Sequence, residues 1–183
     1  MRQRAGLSAG FTLIELMLVL VVVSIMASLL VVSINDNPAK QLDREAVRLR
    51  AVLEMASEEA LMQGLEISLA VTTSSEGVGG YQFLLLDPDE LTWQASEDKP
   101  FNFHPLDADI SMQVTPADGL TRSSRFNRQM EQLQRLKSEE RWTPLLLFLS
   151  SGENTPFIIT LEHSAFDGQV SIRSDGMSGV NIK

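Results

Sequence analysis

Few side chains of this 183-residue chain combine a type and a spacing that could do chemistry. The most unusual is Glu15, a carboxylate at the head of a run, Leu16 to Ile34, that has no charge and only Ser24, Ser28 and Ser33 as polar side chains. A carboxylate at the centre of a bilayer costs about 2.5 to 3.5 kcal/mol or more, so such a group is functional by default and calls for a partner. His104 and His163 are the only histidines. Neither has a serine nucleophile or a second imidazole at motif spacing, so both read as surface or hairpin residues and not as acid–base catalysts. Asp87, Asp89 and Glu90 could offer oxygen ligands to calcium, but Pro88 lies among them, between two apolar runs, and the segment reads better as a turn. With no cysteine there is no disulfide, thiolate nucleophile or cysteine-ligated zinc, and the redox compartment stays open. The sequence therefore assigns no catalytic residue, no cofactor-binding residue and no metal site, and points away from an enzyme.

These groups must be positioned by the elements around them. The uncharged run reaches about 28 Å as a helix, close to the thickness of a bilayer's hydrocarbon core. Arg2 and Arg4 precede it with no acidic residue before Glu15, which places the N-terminus in the cytoplasm and the chain after Ile34 outside it, in the periplasm of a Gram-negative cell. A secretory signal peptide would carry its small-residue cleavage site after the apolar stretch; here Ser8, Ala9 and Gly10 come before it, so cleavage there leaves the helix attached.

Gly10-Phe11-Thr12-Leu13-Ile14-Glu15-Leu16, behind a short basic leader and ahead of an apolar helix, closely resembles the prepilin signature of type IV pilins and type II secretion pseudopilins. The resemblance implies that a membrane-embedded peptidase cuts between Gly10 and Phe11 and that Phe11 is then N-methylated. It also implies a partner for Glu15: the amine of Phe11 on a neighbouring subunit, setting axial register as subunits enter a filament. A pair of this kind is far stronger in lipid than in water.

Beyond Ile34 the pattern becomes amphipathic. Leu42, Ala46, Leu49, Leu53, Ala56 and Ala60 form one helical stripe, while Asp43, Arg44, Glu45, Arg48 and Arg50 lie mainly off it. Asn35-Asp36-Asn37-Pro38 is either a kink in one long helix or a break with Asn37 as cap and Pro38 at the first helical position; a continuous but weakened helix is the expectation. Gln63-Gly64 is the expected end. Strands are expected at 67–72, 81–86, 91–93, 110–114, 145–149, 157–161, 170–173 and 180–182, separated by turn-rich stretches. Short connections favour antiparallel pairing, in two small sheets packed on the amphipathic half of the helix.

Leu147-Phe148, Gly152-Glu153-Asn154-Thr155-Pro156-Phe157 and Ile158 to Leu161 resemble the C-terminal hairpin of the H-type minor pseudopilins (GspH) and of the related pilus protein FimT. In physical terms Gly152 supplies a turn and Pro156 sits where no ladder donor is needed. The expected fold is thus α+β and pilin-like: a long N-terminal helix, transmembrane in its first half, packed on an antiparallel two-sheet β head. The expected organisation is a leader at 1–10, removed; a filament-core helix at 11–34; its amphipathic half at 35–63; and a periplasmic head at 64–183, with a variable insertion at about 118–141.

The chain is acidic, with net charge −9, but the segment Arg122 to Arg141 is locally basic. Phe126, Met130 and Leu133 have helical spacing there. The segment reads as a mobile solvated loop or, more sharply, as a short helix docked by its apolar side, with Arg122, Arg125 and Arg128 as partner contacts. DNA is disfavoured, because these cations are interrupted by Glu on a domain of opposite charge. The resemblance implies a minor pseudopilin of the type II secretion system, an inner-membrane subunit of a periplasmic pseudopilus that helps export folded proteins. Its partners would be major and minor pseudopilins, the prepilin peptidase and methyltransferase, the inner membrane, and secreted substrates. The alternative is a FimT-like minor pilin acting in pilus assembly or DNA uptake.

Overall fold

The structure, a computed structural model, describes residues 12–34, 37–73, 77, 79–117, 124–138, 142–177 and 179–183. The chain divides into two units, Met1–Asn37 and Pro38–Lys183. In the first, α1 (Leu13–Ile34) is apolar on every side. Every large apolar side chain described in it, Leu13 through Met26, is exposed, at 46 to 77%. The Ser24 hydroxyl donates to the Leu20 carbonyl at 2.7 Å, so this polar group is satisfied within its own helix.

The second unit opens with α2 (Pro38–Gln63). A single continuous helix was the expectation, and two helices are described instead. The described part of α1 ends at Ile34, and Pro38, which has no N–H to offer an intrahelical carbonyl, stands at the first position of α2. Residues 35 and 36 of the expected kink lie outside the described residues. α2 buries Leu42, Ala46, Leu49, Val52, Leu53, Ala56 and Ala60, which is the expected stripe with Val52 added. It ends in a Schellman turn: Gly64 has φ +69° and the Leu65 N–H donates to the Ala60 carbonyl at 3.1 Å.

Among the described residues ten strands follow in two sheets: β1 (Ile67–Thr73), β2 (Gly79–Asp87), β3 (Thr92–Ala95), β4 (His104–Pro105), β5 (Ile110–Pro116), β6 (Lys137–Ser138), β7 (Leu146–Phe148), β8 (Phe157–His163), β9 (Phe166–Ser174) and β10 (Asn181–Ile182). The first sheet runs β6-β3-β2-β1-β7, with β4 also on β2; the second runs β10-β9-β8-β5. Every expected strand is present within a few residues. Two-residue β4 and β6 are additions, and β6 pairs with β3 in parallel, an exception to the expected antiparallel pattern. A crossover is affordable there because a helix, α3 (Ser124–Gln134), lies between β5 and β6.

α2 packs against both sheets, and its stripe forms one core with Ile67, Leu69, Tyr81, Phe83, Phe148, Phe157, Ile159, Leu161 and Ile172. A second apolar cluster, Ala70, Leu84, Trp93, Trp142, Leu147 and Leu149, lies among the strands of the first sheet, with Leu133 and Leu136 packed against it. That sheet is therefore buried on two faces, and α3 helps to cover the second.

The expected C-terminal hairpin is corrected. Leu147 and Thr155 exchange hydrogen bonds and Gly152, at φ +84°, makes the turn, so a short hairpin does exist. Its two arms then part: β7 pairs with β1 in the first sheet and β8 with β5 and β9 in the second. Pro156, which has no N–H for a ladder, sits at the parting.

Candidate functional site

Glu15 lies in the first turn of α1. Its backbone N–H donates to the Thr12 carbonyl at 3.1 Å and also lies 3.4 Å from the Thr12 hydroxyl. Thr12 is therefore the N-cap and Glu15 the third helical residue, the Thr-x-x-Glu spacing of a capping box. A carboxylate at this position also meets the positive end of the helix dipole. Glu15 is exposed, together with the apolar side chains around it. Gly10 and Phe11, the expected cleavage and methylation positions, lie outside the described residues. Side chains of α1 are described from Leu13 to Met26, fewer than the roughly 20 residues a bilayer requires. Among the described residues no helix is long and apolar enough to cross a membrane, and the expected span to Ile34 lies partly outside them.

The second candidate surface is α3. The solvated-loop reading of its segment is replaced for residues 124–134 by a helix; of the expected apolar side, Leu133 packs half-buried against the outer apolar cluster, joined by Leu136 just past the helix, while the side chains of Phe126 and Met130 lie outside the described residues. The indole N–H of Trp93 donates to the Leu133 carbonyl at 2.9 Å and pins the last turn. An apolar cavity of about 440 Å³ opens beside this contact, lined by Leu91, Leu133 and Leu136 and rimmed by Gln129, Gln132 and Arg135. Arg128 is exposed on α3, and Arg135 pairs with Glu131 one turn back. Arg125 lies in α3 without a described side chain, and Arg122 lies outside the described residues, so the three expected contact arginines are not brought together as a described site.

Both histidines tie the start of α2 to the sheets. The Nδ1 of His163 accepts from the Ala165 N–H at 3.1 Å, so its proton is on Nε2, which donates to the Gln41 side-chain oxygen at 3.0 Å. His163 is 6% exposed, a buried residue at the mouth of the β8–β9 hairpin and not a surface one. His104 Nε2 lies 3.2 Å from the Glu45 carboxylate. Beside it Tyr81 donates to Glu45 at 3.3 Å and accepts from Arg48 at 2.5 Å. Burial, then the Glu45 charge, push the Tyr81 phenol well above its ordinary range, so it stays protonated as a donor.

The acidic stretch at 87–90 is a turn. Asp87 Oδ1 accepts the N–H groups of Asp89 and Glu90 at 2.9 and 3.1 Å, and Oδ2 accepts from Gln94 at 3.0 Å. The backbone donors, Glu90 first and then Asp89, hold the Asp87 carboxyl below its ordinary value. No cluster of metal-ligating side chains occurs among the described residues.

With this geometry in place, the family comparisons decide the lineage. Residues 45–176 match the family described as type II transport protein GspH. The chain belongs to the GspH family. Residues 7–31 match the prokaryotic N-terminal methylation motif. The chain is similar to type II secretion system protein H of Pseudomonas aeruginosa, 29% identical over 92% of each chain. The protein of the same name from Aeromonas hydrophila is 28% identical over 84% of this chain and 80% of its own. Among solved structures, the minor pseudopilin EpsH of Vibrio cholerae superposes with a TM-score of 0.54 at 20% identity, covering 78% of this chain and 96% of EpsH. At that identity the likeness speaks for the fold, and the expected α+β pilin-like architecture is the observed one. Thr12 joins Glu15 as a functional-site residue through the cap, a role that the charge of Glu15 alone does not reveal. Thr12 three residues before Glu15 was its signal.

Proposed function

We propose that this GspH-family chain is a minor pseudopilin, a structural subunit of the periplasmic pseudopilus of a type II secretion system. The observation that carries the reading is α1: a helix with no polar side, all its described large apolar side chains exposed, and one carboxylate held in its capped first turn. A helix apolar all round is stable only inside lipid or a protein core. Anchorage in the inner membrane supplies the first environment and packing within a filament supplies the second. In this reading the chain is cut after Gly10 by a prepilin peptidase, methylated at Phe11, and held in axial register by Glu15 facing the Phe11 amine of a neighbour. The head, in the periplasm, meets other pseudopilins and secreted proteins, with the basic segment that carries Arg122, Arg125 and Arg128 as one contact. The chain works by assembly and has no reaction of its own.

The test is deletion of the gene in its host, scoring extracellular hydrolases beside pili and DNA uptake. Hydrolases trapped in the periplasm with normal pili and uptake are the expected result. Intact secretion with lost pili or uptake would replace the reading by the FimT-like minor pilin.

A further inference from the structure

Among the described residues the second sheet ends on two strands with no neighbour on their outer side, β5 at one edge and β10 at the other. Which backbone groups point outward follows from the bonds already made. The Ser164 N–H donates to the Asp109 carbonyl at 2.8 Å and the Ala117 N–H to the Pro156 carbonyl at 3.0 Å, both in the register of the β5–β8 ladder. The odd-numbered residues of β5 therefore bond to β8, and Met112 and Val114 direct their N–H and C=O groups to the free edge. At the other edge Lys183 and Ser171 exchange bonds at 2.8 and 3.0 Å, so Ile182 is the residue of β10 whose backbone groups point away from β9. The side chains of the outward residues share a face. Met112 and Val114 are half-buried against the main core, Val180 is 6% exposed within it, and Ile182 stands opposite buried Ile172. Neither edge carries a charged side chain or a proline along these residues, the usual devices against edge pairing: 110–115 reads Ile-Ser-Met-Gln-Val-Thr and 180–182 reads Val-Asn-Ile.

We propose that these edges are the two halves of one junction, in which β5 of one copy pairs antiparallel with β10 of a second copy of the chain, Met112 opposite Ile182 and Val114 opposite Val180. Every pairing within the sheet is antiparallel, so β5 and β10 run in opposite directions. A neighbour in the same orientation therefore brings its β10 to β5 as an antiparallel partner, whereas β5 against β5 requires one copy to be reversed or turned over. The inference rests on the pseudopilin reading above, in which copies anchored by α1 repeat one orientation and are held close enough for a short strand to find its partner. The register follows from the donors. A slip of one residue sets outward backbone groups against inward-bonded ones and turns the apolar side chains to the wrong face. A slip of two sets a pair on Ile110, whose N–H already donates to the Asp107 carbonyl at 2.9 Å, or on Pro116, which has no N–H. In the remaining register Ile182 packs beside Met112 and Val180 beside Val114, so the apolar face continues from copy to copy. On the solvent face Asn181 lies opposite Gln113, and Lys183 lies diagonal to Asp109, all four exposed. Asp109 accepts the Ser164 hydroxyl at 2.6 Å, a neutral donor that leaves its charge uncompensated for Lys183 to meet. The junction joins two different edges and is heterologous, so its repetition extends the sheet along an assembly.

The chain has no cysteine, which makes cross-linking direct. Two tagged full-length copies are co-expressed in the host membrane, one with Gln113→Cys and the other with Asn181→Cys, both exposed positions, and the membranes are mildly oxidised. Facing residues that make no bond across an antiparallel pair have Cα atoms about 4.5 Å apart, within disulfide range. The linked pair should be about fivefold or more above that from Gln113→Cys in both copies, or from Asn181→Cys against Ser111→Cys or Thr115→Cys. Adding Asp109→Lys to the first copy should weaken the link about threefold, and adding Lys183→Asp to the second should restore it. Equal or greater linking at 113–113 means that two β5 edges meet, and at 111–181 or 115–181 that the register is another one; either overturns the proposal. So does capture of a different protein by the Gln113→Cys copy in place of its twin. If the cysteine variants support secretion and no 113–181 product forms, the junction fails while the pseudopilin reading stands; if deletion of the gene leaves secretion intact, it is that reading that fails.

Discussion

α1 and α2 are of similar length, 22 and 26 residues, yet α1 exposes every large apolar side chain described in it while α2 buries seven residues along one face. The difference lies in where the stabilising partner is. α2 is held within its own unit, through the sheets and through the His104 and His163 ties; α1 has an apolar surface with no partner inside its own unit, and such a surface is stabilised by removal from water. On the proposed reading one chain carries a helix for folding and a helix for assembly, and changes in the two should be separable.

The largest expected effect tests that separation. Leu53 has no exposed surface and packs in the main core, so Leu53→Ala should lower the unfolding free energy of the full chain in detergent by about 2 to 5 kcal/mol, read by denaturant titration of far-UV dichroism. Leu20→Ala on α1 should leave the same transition within about 0.5 kcal/mol. A comparable loss at Leu20 would abolish the contrast. Glu15→Ala should do the reverse of Leu53→Ala: an unchanged transition, with secretion in the host reduced at least tenfold.

A smaller effect sharpens the contrast between α2 and α3. α3 is pinned by the Trp93 indole bond and two half-buried leucines, a much lighter attachment than the α2 stripe. Trp93→Phe keeps most of the packing and loses the bond to the Leu133 carbonyl, at a cost of about 1 kcal/mol. Limited proteolysis should then cut within 124–138 several times faster while α2 stays protected. Gly64→Ala belongs to the same range. A Cβ there meets nothing within 4 Å, so the cost of about 1 kcal/mol is that of the φ +69° backbone alone.

What the residues made legible follows the same division. The α2 stripe and the main strands were readable because each buries one face, and burial of one face leaves a period. The double cover of the first sheet was not read, although its trace was present. Phe83 to Leu86 and Leu145 to Leu149 are continuous apolar runs, which mark strands buried on both sides and so call for a second layer. Such a layer gives the 118–141 segment a structural task through Leu133 and Leu136. The β4 and β6 pairings were out of reach, since two residues carry no period. The parting of the hairpin arms at Pro156 was equally hidden, because local turn chemistry fixes the turn and tertiary packing decides which sheet each arm joins. At the N-terminus the charge of Glu15 was legible and its capping partner Thr12 was missed, although their spacing is a known helix-start signal.

The smallest expected effect compares two carboxylates of the head, Glu66 and Asp87, by pH. Glu66, just beyond the C-terminal end of α2, accepts the Ser150 hydroxyl at 2.9 Å and lies 3.3 Å from the Ser150 N–H. Burial raises its carboxyl pKa above 4.5 and outweighs these two bonds. The folded chain therefore binds this proton more tightly than the unfolded one, and the Glu66 contribution to stability is full below about pH 4.5 and falls as pH rises through the folded value. Asp87 has the opposite sign: its carboxyl is held below 3.8, so its contribution is present at neutral pH and is lost only as pH falls below that value. In Glu66→Gln the decline between pH 4.5 and neutrality should be visibly shallower in thermal melts, while the loss of stability below pH 3.8 remains. An unchanged decline would mean that the burial of Glu66 is relieved by solvent, and that the C-terminal end of α2 is held by the Gly64 turn and the Ala60 stripe without a titrating cost.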